Sequence, residues 1–176
     1  NDLGNTASRL VTLSRGAFAG RTPPLSCNDN PLIPVARQVV ADYRVAMDEL
    51  AFQDALRALW RLLAEANHYL VVRAPWKRIK AEGATDALSR ILWNGLEAVR
   101  IVATGLLPFM PTVARQVLAA VGTSTVGESL DAMAWGGTPN SAPLPELAPL
   151  FPRIDKEKFM SEIKSSAPES SAPAAA

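Results

Sequence analysis

Leu88-Ser89-Arg90-Ile91-Leu92-Trp93-Asn94-Gly95-Leu96 opens the stretch, residues 85–107, whose reading decides the fold class. Leu88, Ile91, Leu92, Leu96, Val99, Val102 and Leu106 recur at i, i+3, i+4 spacing over several turns, which is the period of a helix with one apolar face. The spacing predicts the longest helix of the chain from about Thr85 to Leu107, stopped by Pro108-Phe109-Met110-Pro111. On its C-terminal side a further helix runs from Pro111 to about Val121, with Gly122 placed as its C-terminal cap.

The N-terminal side reads the same way. A first helix capped by Asn1 or Asp2 runs to about Phe18 and ends near Gly20. Leu3, Ala7, Leu10, Val11, Ala17 and Phe18 fall on one side of it, and Asn5, Arg9, Thr12 and Gly16 on the other. A polar loop continues to Asn30, and a second helix starts between Pro31 and Pro34 with Ile33, Ala36, Val39, Val40 and Tyr43 facing inward. A third begins near Asp48, carries Phe52, Leu56, Leu59, Leu63, Ala66 and Leu70, and ends by Ala74, because Pro75 lacks a backbone donor and disfavours helix in the residue before it. Trp76-Lys77-Arg78-Ile79-Lys80 is expected as a short loop or turn, and Trp60 and Trp93 as helix-packing residues. The fold class is all-α: about five main helices in residues 1–122, then an irregular glycine-, serine- and proline-rich extension over 123–154 with a hint of helix at Ser129 to Met133. A short helix at 155–164, capped by Asp155, and a disordered tail at 165–176 complete the chain; the tail has too little apolar surface to offset its ordering entropy.

Composition sets limits on function. Of 176 residues, 48% are hydrophobic and 20% charged, enough to bury a sizeable core. Eighteen basic against 17 acidic side chains leave a formal charge of +1, so any claim of nucleic-acid binding must rest on particular residues. One cysteine, Cys27, excludes an intrachain disulfide and a multi-cysteine zinc site. No apolar run reaches the roughly 18 residues of a membrane span, and the reducing cytoplasm is the default reading. Because the first residue is Asn1, the chain is expected to be cut from something longer.

No P-loop, Gly-x-Gly-x-x-Gly or His-Glu-x-x-His pattern is present. Asp48, Glu49 and Asp54 read as helix caps or solvated faces, and His68, the only histidine, as a surface or capping residue. No catalytic or metal-ligating residue is assigned. The positive signal is Trp76, which follows a proline and has Arg73, Lys77, Arg78 and Lys80 for neighbours. An indole can stack on an unpaired base and the cations can meet phosphates; equally, Trp76 can close the end of the bundle as a core residue. Asn5 and Arg9 lie one turn apart on the polar side of the first helix. Together they offer donors and an acceptor able to read a base edge, although a solvated pair is the ordinary outcome.

Five landmarks in order give these features a context. Asn1-Asp2-Leu3-Gly4-Asn5 through Arg9 resembles the first helix of the anticodon-binding domain of methionyl-tRNA synthetases. Asp54-Ala55-Leu56-Arg57 spells the signature of one class of such domains, and Ala66-Asn67-His68-Tyr69 with Ala74-Pro75-Trp76 is similar to the stretch leading to the anticodon-stacking tryptophan. Leu107-Pro108-Phe109-Met110-Pro111 and Leu150-Phe151-Pro152-Arg153-Ile154 are similar to later landmarks. The resemblance implies that Asn5, Arg9, Pro75 and Trp76 recognise the CAU anticodon of methionine tRNA, the tryptophan stacking on the splayed-out cytosine while the polar pair reads its edge. It also implies a catalytic domain before Asn1 as partner. That domain would carry the histidine pair and lysine loop that handle ATP, and a zinc-bearing insertion; no cofactor is expected within these residues. An anticodon domain of another class I synthetase, such as cysteinyl, and a helical protein-interaction module are the alternatives.

Overall fold

The computed structural model describes residues 2–24, 30–83, 85–123 and 130–151. Among the described residues six α-helices follow in chain order: α1 (Asp2–Ala17), α2 (Leu32–Asp48), α3 (Phe52–Arg73), α4 (Pro75–Glu82), α5 (Asp86–Leu106) and α6 (Pro111–Ala120). A 3-10 turn, Leu130–Met133, comes after them. The architecture is all-α; one isolated antiparallel bridge joins Arg21 to Pro143. Cys27, the predicted helix at 155–164 and the tail lie outside the described residues.

The central element is α5. Every residue from Ile91 to Leu106 is buried, and α5 touches each of the other helices. Two glycines let its neighbours come that close. A Cβ on Gly95 would stand 2.6 Å from Leu10 Cδ2, and one on Gly105 2.6 Å from Leu59 Cδ2, both inside any permitted contact. Thus α1 and α3 seat leucines directly against the α5 backbone. Tyr43 of α2 adds a buried hydrogen bond, its hydroxyl donating to the Gly105 carbonyl at 2.7 Å. Thr85 caps α5 by accepting from the Leu88 amide, and Gly122 follows α6 with φ 84°.

Burial on all sides brings polar groups of α5 inside. Glu97 is fully buried and Arg100 is 3% exposed, and the two pair through Nη2 to Oε1 at 2.7 Å and Nε to Oε2 at 2.9 Å. The remaining bonding capacity of both goes to the segment after the bundle. Glu97 accepts from the amides of Gly136 at 2.7 Å, Gly137 at 3.1 Å and Thr138 at 2.8 Å, while Arg100 donates to the carbonyls of Ala132 and Ala134. The segment thereby covers α5, with Met133 and Leu144 in the core. It then runs beside the end of α1, where Thr22 N donates to the Ala142 carbonyl at 2.7 Å and Leu144 N to that of Gly20 at 2.8 Å.

Three sequence expectations are corrected. Pro75–Glu82 is a helix rather than a loop, because Ala74 ends α3 in the left-handed region (φ 45°) and Pro75 then occupies the first turn of α4, where its missing donor costs nothing. Asp48 ends α2 instead of opening α3; the chain turns through Leu50 at φ 57° and α3 starts at Phe52. Trp93 packs inside, at 1% exposed, but Trp60 is 39% exposed, since it lies on the side of α3 turned away from α5.

Burial alone would push the Glu97 carboxyl up, but hydrogen bonds and charge from Arg100 and the amides of Thr138 and Gly136 outweigh it, holding it below its ordinary value of 4.5. A folded-state value below the unfolded one gives stabilisation that is complete above the ordinary value and lost as pH falls through the lowered one. Glu97→Gln strands the Arg100 charge and is expected to cost about 3–5 kcal/mol at neutral pH in urea unfolding. The variant should also lose the part of the wild-type stability decline that sets in below about pH 4.5.

Candidate nucleic-acid interface

The inward stripe of α1 (Leu3, Ala7, Leu10, Val11) is buried, which leaves Asn5 and Arg9 exposed on the opposite side. The Thr6 hydroxyl donates to the Asp2 carbonyl at 2.7 Å and lies 2.8 Å from the side-chain amide of Asn67, tying α1 to α3. On α4, Pro75 is buried and Trp76 half-buried. The indole is not part of the hydrophobic core.

The fold brings these two elements together. The Arg9 guanidinium carbon lies 5.9 Å from the centroid of the Trp76 ring, a cation–π contact between α1 and α4. Asn5 sits one turn before Arg9 on the same exposed side. Ala74 sets the geometry at the α3–α4 joint: its amide donates to the Leu70 carbonyl at 2.9 Å and its own carbonyl accepts from the Lys77 amide at 2.9 Å. One residue closes one helix and opens the next, so Trp76 is fixed in the first turn of α4.

The flanking cations divide. Lys77 and Lys80 are exposed on α4. Arg73 lays its guanidinium 5.8 Å from the Tyr69 ring centroid, and Arg78 Nε donates to the Arg73 carbonyl at 3.4 Å; both line a cavity with Tyr69, Arg90 and Asn94 rather than joining Arg9 at the indole. Arg90 was not singled out by sequence reasoning; it stands one turn before Asn94, which is buried and bonded to Asn30 and to the Tyr69 hydroxyl, unlike the exposed Asn5 and Arg9. Asn67, beside α1, is a second polar group next to the site. Among the described residues no group of three His, Cys, Asp or Glu could hold a metal ion, and no helix is long and apolar enough to cross a membrane.

Comparison with known proteins identifies the family. The model of a family described as the anticodon binding domain of methionyl tRNA ligase matches residues 23–158. The chain belongs to that family. It is 31% identical over 167 residues to the methionine–tRNA ligase of Caldanaerobacter subterraneus, covering 93% of this chain and 26% of that protein. It is 31% identical over 169 residues to the methionine–tRNA ligase of Streptococcus pneumoniae, covering 93% of this chain and 25% of that one. The chain thus spans about a quarter of the length of these relatives. The crystal structure of the free methionyl-tRNA synthetase of Mycobacterium tuberculosis superposes with a TM-score of 0.79 at 29% identity, over 88% of this chain and 32% of that one. The same enzyme in complex with methionyl-adenylate gives a TM-score of 0.79 at 30% identity, over 87% and 31%. The family match begins after α1, whereas the matches to whole proteins and structures cover most of the chain.

An exposed cation–π pair contributes about 0.5–1 kcal/mol. A double-mutant cycle on Arg9→Ala and Trp76→Ala in urea unfolding is expected to return a coupling of that size, with neither single variant losing cooperative unfolding. Zero coupling would show that the two side chains do not meet.

Proposed function

We propose that this domain recognises the CAU anticodon of methionine tRNA as the tRNA-reading part of a methionine–tRNA ligase. The observation that carries the proposal is the Arg9 guanidinium held over the Trp76 ring: an aromatic platform outside the core with a fork of donors already at its face. A splayed-out cytosine takes the place of the guanidinium on the indole, and Arg9, displaced on its long stem, meets the edge of the base. Cytosine presents an amino donor beside acceptor atoms; the Asn5 carbonyl accepts from the former and the Arg9 N–H groups donate to the latter. Pro75 is the rigid residue that aims the platform. Arg73, Lys77, Arg78 and Lys80 face the backbone phosphates of the loop, so binding weakens as salt rises.

In this reading ATP, methionine and any zinc are handled outside these residues, and the domain works in the cytoplasm. Its second partner is the catalytic part of the ligase. Trp60 and Phe151, both exposed, line a cavity of about 360 Å³ with Asp2, Leu3 and Met110 at the start of α1, and this apolar surface is where the catalytic part packs. Trp60→Ser is expected to leave the thermal midpoint of the isolated chain within about 2 °C and to lower that of the complete ligase by several degrees; equal shifts in both would remove Trp60 from the interface.

Stacking contributes about 1–3 kcal/mol per base. Trp76→Ala is therefore expected to weaken binding of a CAU anticodon stem-loop by about 10- to 100-fold in fluorescence anisotropy, while unfolding stays cooperative and stability falls by only about the 0.5–1 kcal/mol of the lost Arg9 contact. A stem-loop carrying another triplet should bind the wild-type chain correspondingly worse. Equal affinity for both triplets would refute the methionine assignment, and an unaffected Trp76→Ala variant would refute the platform.

A further inference from the structure

The far end of α1 is gripped by the segment that folds back after the bundle, and the grip centres on Thr22. Thr22 is 1% exposed, and its backbone and its hydroxyl both bond to that segment. Its amide donates to the Ala142 carbonyl at 2.7 Å and its carbonyl accepts from the Ser141 amide at 3.2 Å. The hydroxyl donates to the Pro139 carbonyl at 2.6 Å and accepts from the Ala142 amide at 2.8 Å. The methyl is seated closely too: a Cβ on Gly122 would stand 2.9 Å from Thr22 Cγ2. In the last turn of α1, Arg15 donates to the Leu144 carbonyl at 2.6 Å, and the Leu144 amide donates to the Gly20 carbonyl at 2.8 Å. The exit is continuous with the helix, because the amides of Phe18, Gly20 and Arg21 bond back to the carbonyls of Ser14, Arg15 and Phe18. The segment itself is tied to α5 through Glu97 and Arg100. Valine would fill the space of Thr22, so what the threonine adds is its pair of hydroxyl bonds.

We propose that Thr22 is a positioning residue for base reading: its hydroxyl locks the far end of α1 to the fold-back segment, and so holds Arg9 over Trp76 with Asn5 beside it. The inference rests on the anticodon reading for the use made of that pair and on the clamp alone for its mechanism. Leu10 in the notch over Gly95 decides which side of α1 faces out, but one seated side chain is a pivot about which a rod can still swing and twist. From that pivot Asn5 lies about 7 Å along the axis in one direction and Ala17 about 10 Å in the other. A displacement at the clamped end therefore reappears, little reduced, at Asn5. Twist matters more for Arg9. Its guanidinium carbon lies 5.9 Å from the ring centroid, at the outer limit of about 6 Å for a cation–π contact. A twist of about 10° moves a group on the rim of a helix by about 1 Å, enough to take the guanidinium off the ring. At the reading end the lateral tie from Thr6 to Asn67 runs through a short side chain with little leverage against twist. The clamp at Thr22, with bonds from backbone and hydroxyl together, supplies that leverage.

The test uses the full chain and two readouts. Without RNA, the Arg9 side-chain Nε–H resonance carries the ring-current shift of the indole, and Trp76→Ala marks where it falls when the ring is gone. Thr22→Val is expected to move the resonance toward that mark, whereas Thr22→Ser, which keeps the hydroxyl, leaves it in place. Tyr43→Phe is the control: it deletes another buried hydroxyl that donates to a backbone carbonyl, on a helix packed against α3 and α5, and should move nothing. With RNA, Thr22→Val should weaken the CAU stem-loop about 3- to 10-fold and a stem-loop of another triplet less than about twofold, because the loss falls on the base edge and not on the phosphates. Thr22→Ser and Tyr43→Phe should keep the wild-type ratio. A threonine with only a structural role would lower stability, as Tyr43→Phe is expected to, and leave both readouts where they are. If Thr22→Val does not fold, Arg15→Gln loosens the same clamp through the Leu144 bond and is read in its place. A resonance that stays at the wild-type position, or an unchanged triplet ratio, would overturn the proposal. A wild-type chain that binds both stem-loops equally ends the anticodon reading instead, and the resonance then still decides whether Thr22 holds Arg9 over the indole, so the two readings fail separately.

Discussion

A helix buried on all its faces has no side on which to place a charge cheaply, and the stretch of α5 from Ile91 to Leu106 carries two. The Glu97–Arg100 pair resolves this by bonding to each other and then to five backbone groups between Ala132 and Thr138. A buried ion pair is a weak source of net stability, but it is specific, because neither partner can be left without the bonds it was desolvated for. In this chain the specificity is topological. The carboxylate accepts three consecutive amides in one register, so the irregular segment can close over α5 in one way. With α5 sealed, its other faces become a rigid reference for α1 at Gly95 and for α3 at Gly105.

That reference places the interface. Arg9 and Trp76 are 67 positions apart, on helices that share only a few contacts with each other, and each is positioned by what its helix does against α5. The polar side of α1 faces outward because Leu10 occupies the notch over Gly95, and Asn5 and Arg9 are carried along. The chain is nearly neutral overall, yet Arg9 in the middle of α1 meets Trp76, Lys77, Arg78 and Lys80 share the short helix with it, and Arg73 and Arg90 stand at the end of α3 and near the start of α5. Local placement supplies a field that net charge does not reveal.

The sequence made the apolar stripes legible, and with them the helical class, the outward side of α1 and the exposed polar pair, because period and burial are local consequences of the same spacing. It concealed what depends on distant coverage. Glu97 and Arg100 stand at positions that helical periodicity assigns to solvent; only the fold-back of residues 132–138 makes them interior. Trp60 shows the opposite failure: a large aromatic in an apolar run reads as core, but its position turns it away from α5. Arg90 and Asn94 were passed over because the same stretch was dominated by its leucines. The indole was recognisable from its neighbours and from family resemblance, while its contact with Arg9 required the three-dimensional meeting of α1 and α4.

The joint at Ala74 and Pro75 shows why one residue was misread and why the misreading touches function. A proline after an apolar run signals a stop, and α3 does stop there. The same residue type is also the best opener of a helix, since φ is already set and the first amide has no partner to lose. The sequence contains both signals at one position, and a local rule chooses the first. What selects the second is Ala74, held at φ 45° and ψ 58°, a conformation that costs a residue with a Cβ about 1–2 kcal/mol. That cost is offset by two good backbone hydrogen bonds across the joint and by the burial of Pro75. The turn at Ala74 directs α4 so that it packs against α5 and α1, and Trp76 in its first turn meets Arg9. The strain at Ala74 is therefore the local condition for an aromatic ring that stands outside the core yet does not wander, which is what a platform for an unpaired base requires.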